Sequence, residues 1–199
     1  MKKTGFTLAE VLITLGIIGV VAAMTIPILM TAYQKKQTVT RLKRAYSIVQ
    51  QTLRLSEDEN GEAESWNTRL NGEQFFQTYL ANHIKYLDKF TSQELWDKAP
   101  RKNLNGSNYT GTTYNASSRT TAHFTLLDGS MVSMNNENGI WVGIDVNGLA
   151  KPNTIGKDTF LFFFSSKYGL RPLGDAGTPA NWLFGTYSRN KVGPKGSSY

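Results

Sequence analysis

"MKKTGFTLAEVLITLGIIGVVAAMTIPILM" (Met1–Met30) opens the chain and decides its architecture. No charged residue stands between Val11 and Met30, and at about 1.5 Å of rise per residue that run spans about 30 Å as a helix, the thickness of a bilayer core. Glu10 stands at its edge. A carboxylate in hydrocarbon costs about 2.5 to 3.5 kcal/mol on insertion scales, so an acid in this position is read as functional, with a partner to be found.

Working outward, charge separates the two ends of the chain. Of 199 residues with a formal net charge of +7, residues 1–44 hold seven basic groups against Glu10, and the remainder holds fifteen basic against fourteen acidic. The basicity therefore belongs to the membrane end. Lys2 and Lys3 before the apolar run fit a cytoplasmic N-terminus, and Lys35, Lys36, Arg41, Lys43 and Arg44 after it fit a solvated or headgroup-facing surface, with intersubunit contacts as the alternative. A nucleic-acid groove needs cations interleaved with aromatics on the globular part, and none shows. The chain has no cysteine, which excludes a disulfide framework and thiolate metal or redox sites.

Three readings of the first thirty residues compete. A cleaved secretory signal, with cutting near Val21, Ala22 and Ala23, explains neither Glu10 nor the apolar length. A plain anchor has no use for Glu10 or Pro27. The third reading uses both: "KKTGFTLAEVLITLGIIGVVAAMTIP" resembles the N-terminus of type IV prepilins and type II secretion pseudopilins. The resemblance covers residues 2 to about 35. It implies a leader Met1–Gly5, cutting between Gly5 and Phe6 by a prepilin peptidase that also methylates the new amine, and a pairing of Glu10 with the Phe6 amine of a neighbouring subunit. Pro27 falls where many members carry a proline. Lacking an N–H, it is expected to kink or loosen the helix there.

The implied partners are that peptidase, identical and related pilin subunits, and an inner-membrane assembly platform. The implied localisation is the cytoplasmic membrane, single-pass with the head outside the cytoplasm, and then the pilus or pseudopilus. Gly16, Gly19 and Ala23 mark a face where another helix can approach.

Past the membrane, Val39, Leu42, Tyr46, Val49 and Leu53 keep helical spacing to about Leu55. The expected organisation is a leader (1–5), a long N-terminal helix (6–56, in lipid to about residue 30) and a globular head (57–199). "SEDENGEAES" (Ser56–Ser65) reads as a loop, and Glu73–Leu87 as a second, shorter helix carrying a non-ligating His83. "NLNGSNYTGTTYNASS" (Asn103–Ser118), with glycosylation-type triplets at Asn105, Asn108 and Asn115, reads as an exposed polar loop. Asp128–Gly129 between two alternating runs predicts a hairpin, and "GIWVGIDV" and "TFLFFF" predict further strands. The fold class is α+β: a long helix packed on an antiparallel sheet of three or four strands, closing on a loose "GPKGSSY" tail.

One constellation on the head has the look of a site. "DVNGLAKPNTIGKD" places Asp145, Asn147, Asn153 and Asp158 as oxygen donors within one loop, a candidate for calcium, which takes six to eight oxygens. The spacing is not that of an EF-hand. The pseudopilin resemblance raises calcium here without a residue-for-residue match, and the alternative is a polar turn built on Asn147-Gly148 and Pro152-Asn153. No Gly-x-Ser-x-Gly, cysteine nucleophile or His-rich spacing supports an enzyme. The expected function is a structural filament subunit; a minor pilin with an adhesive or DNA-uptake role and a membrane-anchored hydrolase are the alternatives.

Overall fold

The structure, a computed structural model, describes residues 5, 7–109, 111–137, 139–175 and 178. Phe6, the leader residues Met1 to Thr4 and the "GPKGSSY" tail lie outside the described residues. The chain divides into two compact units between Thr40 and Arg41.

The first unit is helical, the N-terminal part of α1 (Leu8–Asn60). Its most apolar window has a mean hydropathy of 2.5 and none of it is buried. Leu12, Ile18 and Leu29 each expose more than half of their surface. Such a surface needs an apolar surround, and a helix suits one because it satisfies every interior backbone N–H and C=O internally. Helicity continues through Pro27, so the expected loosening is not present in the single chain. Thr25 and Thr31 bracket the proline by donating their hydroxyls to the carbonyls of Val21 and Pro27, both at 2.9 Å.

The second unit is the α+β head. Here α1 buries Ala45, Val49 and Leu53, spaced one turn apart, against the sheet, with Leu42 and Tyr46 half-buried alongside. The helix outlasts the sequence reading by about five residues: Ser56 is buried, Glu57 pairs with Arg54 at 2.7 Å, and the stop is Gly61. Gly61 takes φ +80° and returns its N–H to the Glu57 carbonyl at 2.8 Å, the left-handed cap that glycine adopts without a Cβ penalty.

After it come α2 (Gly72–Phe75), a π-helical turn (Phe76–Leu80), β1 (Tyr86–Phe90) and α3 (Ser92–Lys98). The second helix therefore ends near Leu80 rather than Leu87. Tyr86 and Leu87 belong to a strand, and His83 faces Glu59 at 2.7 Å. The remaining strands are β2 (Thr121–Leu126), β3 (Met131–Asn135), β4 (Ile140–Asp145), β5 (Thr159–Ser165) and β6 (Gly169–Pro172). They form one antiparallel meander of six, in the order β1 to β6, rather than three or four. The Asp128–Gly129 hairpin stands as predicted, with Gly129 at φ +83°.

Alternation along β4 sorts its side chains. Ile140, Val142 and Ile144 enter the α1-side core; Asp145 leaves on the opposite face, between Met131 of β3 and Thr159 of β5 in register. That opposite face is covered too, by a smaller cluster of Leu95, Ala99, Tyr114, Met131 and Ile155. Burial on both faces is why "GIWVGI" (139–144) reads as a continuous apolar run up to Asp145.

Candidate functional site

Two places carry chemistry, one in each unit. At the start of α1, Glu10 Oε2 accepts the Thr7 backbone N–H at 2.8 Å and its hydroxyl at 2.7 Å, while Thr7 Oγ1 accepts the Glu10 N–H at 3.3 Å. This reciprocal arrangement is a capping box, and it satisfies helix-end donors that would otherwise face hydrocarbon. Its signature, Thr-x-x-Glu in "TLAE", stood in the sequence but was read for its charge alone. Glu10 thus has a partner in its own chain. Only Oε2 is engaged among the described residues, so Oε1 can accept a further donor. Gly5 has nothing within 4 Å of where a Cβ would stand.

In the head, the loop between β4 and β5 is organised by a residue that the sequence did not single out, Arg101. Segment 101–103 is clamped by Lys102 N–H to the Asn153 carbonyl at 2.9 Å, Ile155 N–H to the Lys102 carbonyl at 2.8 Å and Tyr109 N–H to the Arg101 carbonyl at 2.8 Å. The Arg101 side chain, 1% exposed, reaches Asp145 Oδ2 at 3.0 Å. Its guanidinium lies 5.0 Å from the centre of the Tyr114 ring. Asp145 Oδ2 also accepts the Thr159 hydroxyl at 3.0 Å, and Oδ1 accepts the Asn147 N–H at 3.1 Å. Burial pushes the Asp145 carboxyl up, to about 7, against the opposing pull of Arg101. The Tyr114 phenol, also buried, is pushed up to about 12.

The loop's other carboxylate faces inward as well. Asp158 Oδ2 accepts the Asn153 N–H at 2.8 Å and Oδ1 the Thr154 N–H at 2.6 Å, while Val146 donates to the Asp158 carbonyl at 2.9 Å. The structure therefore brings all four predicted residues into one closed loop, with both carboxylates already hydrogen-bonded. Asn147 Oδ1 and Asn153 Oδ1 are buried without a donor. Among the described residues no group of three or more His, Cys, Asp and Glu could hold a metal. A calcium ion here would draw on the two amide oxygens and would share Asp145 with a guanidinium already 3.0 Å away.

A serine–histidine pair was also missed. Ser92 Oγ stands 3.0 Å from His123 Nε2, and His123 Nδ1 stands 2.7 Å from Ser133 Oγ. Both Ser92 and His123 line a cleft of 540 Å³. The pair resembles a nucleophile and its base, but the base must pass through imidazolium. Burial, and then the nearby Arg101 charge, push His123 down to about 3, so the protonated ring is strongly disfavoured. Ser92, His123 and Ser133 form a neutral hydrogen-bonded prop between α3, β2 and β3.

The long unburied apolar helix, the carboxylate at its head and the α+β domain define a class of protein, that of type IV pilin-like and pseudopilin-like subunits. Residues 1–26 match the prokaryotic N-terminal methylation motif, which is typical of that class and implies processing by prepilin peptidase and assembly into pilin filaments. Residues 28–171 match a family of unknown function, DUF6613, and the chain belongs to that family. No curated protein and no solved structure matches the chain.

Proposed function

We propose that this chain is a structural subunit of a type IV pilus or a type II secretion pseudopilus. It is inserted through Val11–Met30, cut between Gly5 and Phe6, and assembled through its N-terminal helix. The observation that carries the reading is Glu10: the one acid in the apolar, unburied N-terminal stretch of α1 (8–30), capped by Thr7 through a single oxygen. Cutting at Gly5–Phe6 would create an ammonium one turn before it. Paired with the Phe6 ammonium of a neighbouring subunit, Oε1 of Glu10 would neutralise two charges that are each costly alone in lipid.

Thr7 deepens this account. Its hydroxyl and amide hold the carboxylate folded back toward the helix start while the subunit is alone, and leave the second oxygen for the partner. Methylation of the amine would keep its charge, so the pairing survives that modification. Pro27 is the proposed site of bending within the filament, because the Ala23 carbonyl already lacks its helical donor there.

For the head loop we propose that Arg101 fills the role of its cation, closing a domain that has no disulfide. The experiment for the filament reading is Glu10→Ala. The variant should enter the membrane and be cut normally, yet yield few filaments; normal filament numbers would refute the pairing.

A further inference from the structure

The 540 Å³ cleft above the Ser92–His123 pair has the size of a small-molecule site, which runs from about 300 to 1,000 Å³. Assembly through the N-terminal helix makes no use of it. Phe76, on its wall, begins the π-helical turn, a conformation frequent at functional sites. Four planar polar side chains line the cleft with atoms to spare among the described residues. Asn71 Oδ1 accepts the Gln74 N–H at 2.8 Å, which leaves the amide NH2 of Asn71 to donate. Glu73 meets Lys89 and Gln77 through Oε1, and Glu94 meets Thr91 through Oε2, so each keeps one carboxylate oxygen. The Arg119 side chain is exposed and has no acid or other acceptor among the described residues.

We propose that this cleft binds a neutral saccharide. It goes beyond the filament reading and does not depend on it. Charge decides against an ionic ligand: Glu73 and Glu94 stand against Lys89 and Arg119, so the lining offers no net charge. An extended peptide has no strand to join, because the backbone leading into β2 is already taken: the Gly72 N–H donates to the Arg119 carbonyl at 2.7 Å. Sugar hydroxyls each donate and accept. Two neighbouring ones can span a carboxylate or a guanidinium with a pair of bonds, so the spare donors of Asn71 and Arg119 and the spare acceptors of Glu73 and Glu94 suit them without a ligand charge. Phe90, half-buried in the wall, offers an apolar surface to the C–H face of the ring.

The test is saturation-transfer NMR on the full-length chain in a detergent that carries no sugar, with maltose, cellobiose, lactose and N,N′-diacetylchitobiose titrated in turn to about 50 mM. At least one of them should bind with a Kd of about 10 mM or tighter. E94Q keeps the cap of α3, because glutamine also closes a capping box, and R119A removes a side chain without a partner among the described residues, so both should melt as the wild type does. Each should weaken binding by about tenfold or more, the loss of a hydrogen bond to a charged group. K157Q, outside the cleft, should bind as the wild type does. Binding of none of these sugars, binding that E94Q or R119A leaves unchanged, or binding that K157Q also weakens would overturn the proposal. So would a tetra-alanine peptide that binds more tightly than every sugar.

Discussion

Replacing Arg101 by methionine tests the organising interaction of the head. The substitution keeps much of the side-chain volume and removes the guanidinium, leaving Asp145, 0% exposed, with the Thr159 hydroxyl and the Asn147 N–H as its remaining partners. Breaking a buried pair from one side typically costs about 3 to 5 kcal/mol, which for a domain of this size is roughly 6 to 20 °C in melting temperature. The loss should depend on pH. Asp145 is already raised to about 7 with Arg101 beside it, and losing the guanidinium raises it further. Wild type and variant therefore lose stability alike up to about pH 7, and the variant loses more above it, where its native state still holds a proton that the wild type has released. The deficit should therefore be smallest near pH 5 and largest near pH 8.

R101M/D145N removes the orphaned charge and keeps an acceptor for Thr159, and it should recover most of the loss. The assay is thermal unfolding by circular dichroism of the head from Arg41 onward, at several pH values. A loss below about 1 kcal/mol, or a deficit equal at pH 5 and pH 8, would refute the reasoning.

Further outcomes follow from the same geometry. His123→Gln keeps a polar side chain between Ser92 and Ser133 but cannot titrate. Because native His123 is pushed down to about 3, the wild type loses stability to this ring as pH falls from about 6.5 toward 3, and the variant should not show that loss in acid-unfolding curves. Calcium, compared with chelator, should leave the melting temperature of the head unchanged; a calcium-dependent rise abolished by Asp145→Ala would instead place an ion in the Asp145–Asp158 loop. Gly72→Ala should destabilise strongly, since its Cβ would stand 2.0 Å from the Thr121 carbonyl oxygen, and denaturant titration reads the loss. Thr7→Ala removes one capping-box hydroxyl, typically worth about 1 kcal/mol, and should lower filament yield less than Glu10→Ala does, as counted by electron microscopy.

The parts legible in the sequence were those set by neighbours in the chain. The long apolar N-terminal helix, the continuation of α1 on Leu42, Tyr46, Val49 and Leu53, the Asp128–Gly129 turn and the α+β class each follow from local periodicity or turn chemistry. The misses are of two kinds. Some had a local signal that was passed over: Asn71 with Gln74 and Thr91 with Glu94 are capping boxes that open α2 and α3, and Thr7 with Glu10 opens α1. Others had none. Nothing near Arg101 reports that it will be buried against Asp145, and nothing near Gly143 reports that the Tyr114 hydroxyl will stand 2.4 Å from its missing Cβ. "KYL" (85–87) fell inside the expected second helix because Leu80, Ile84 and Leu87 fit that spacing; the sheet edge beside β2 overrode it.

The central claim, a subunit cut from a short leader and assembled through its N-terminal helix, meets its most direct test in mass spectrometry of the mature N-terminus, on chain isolated from cells that carry a prepilin peptidase. The account predicts a first residue of Phe6 bearing one added methyl on its amine, and an unprocessed chain beginning at Met1 when the peptidase gene is deleted. A mature chain beginning at Met24 or Thr25, or one still carrying Gly5 in the presence of the peptidase, would contradict it.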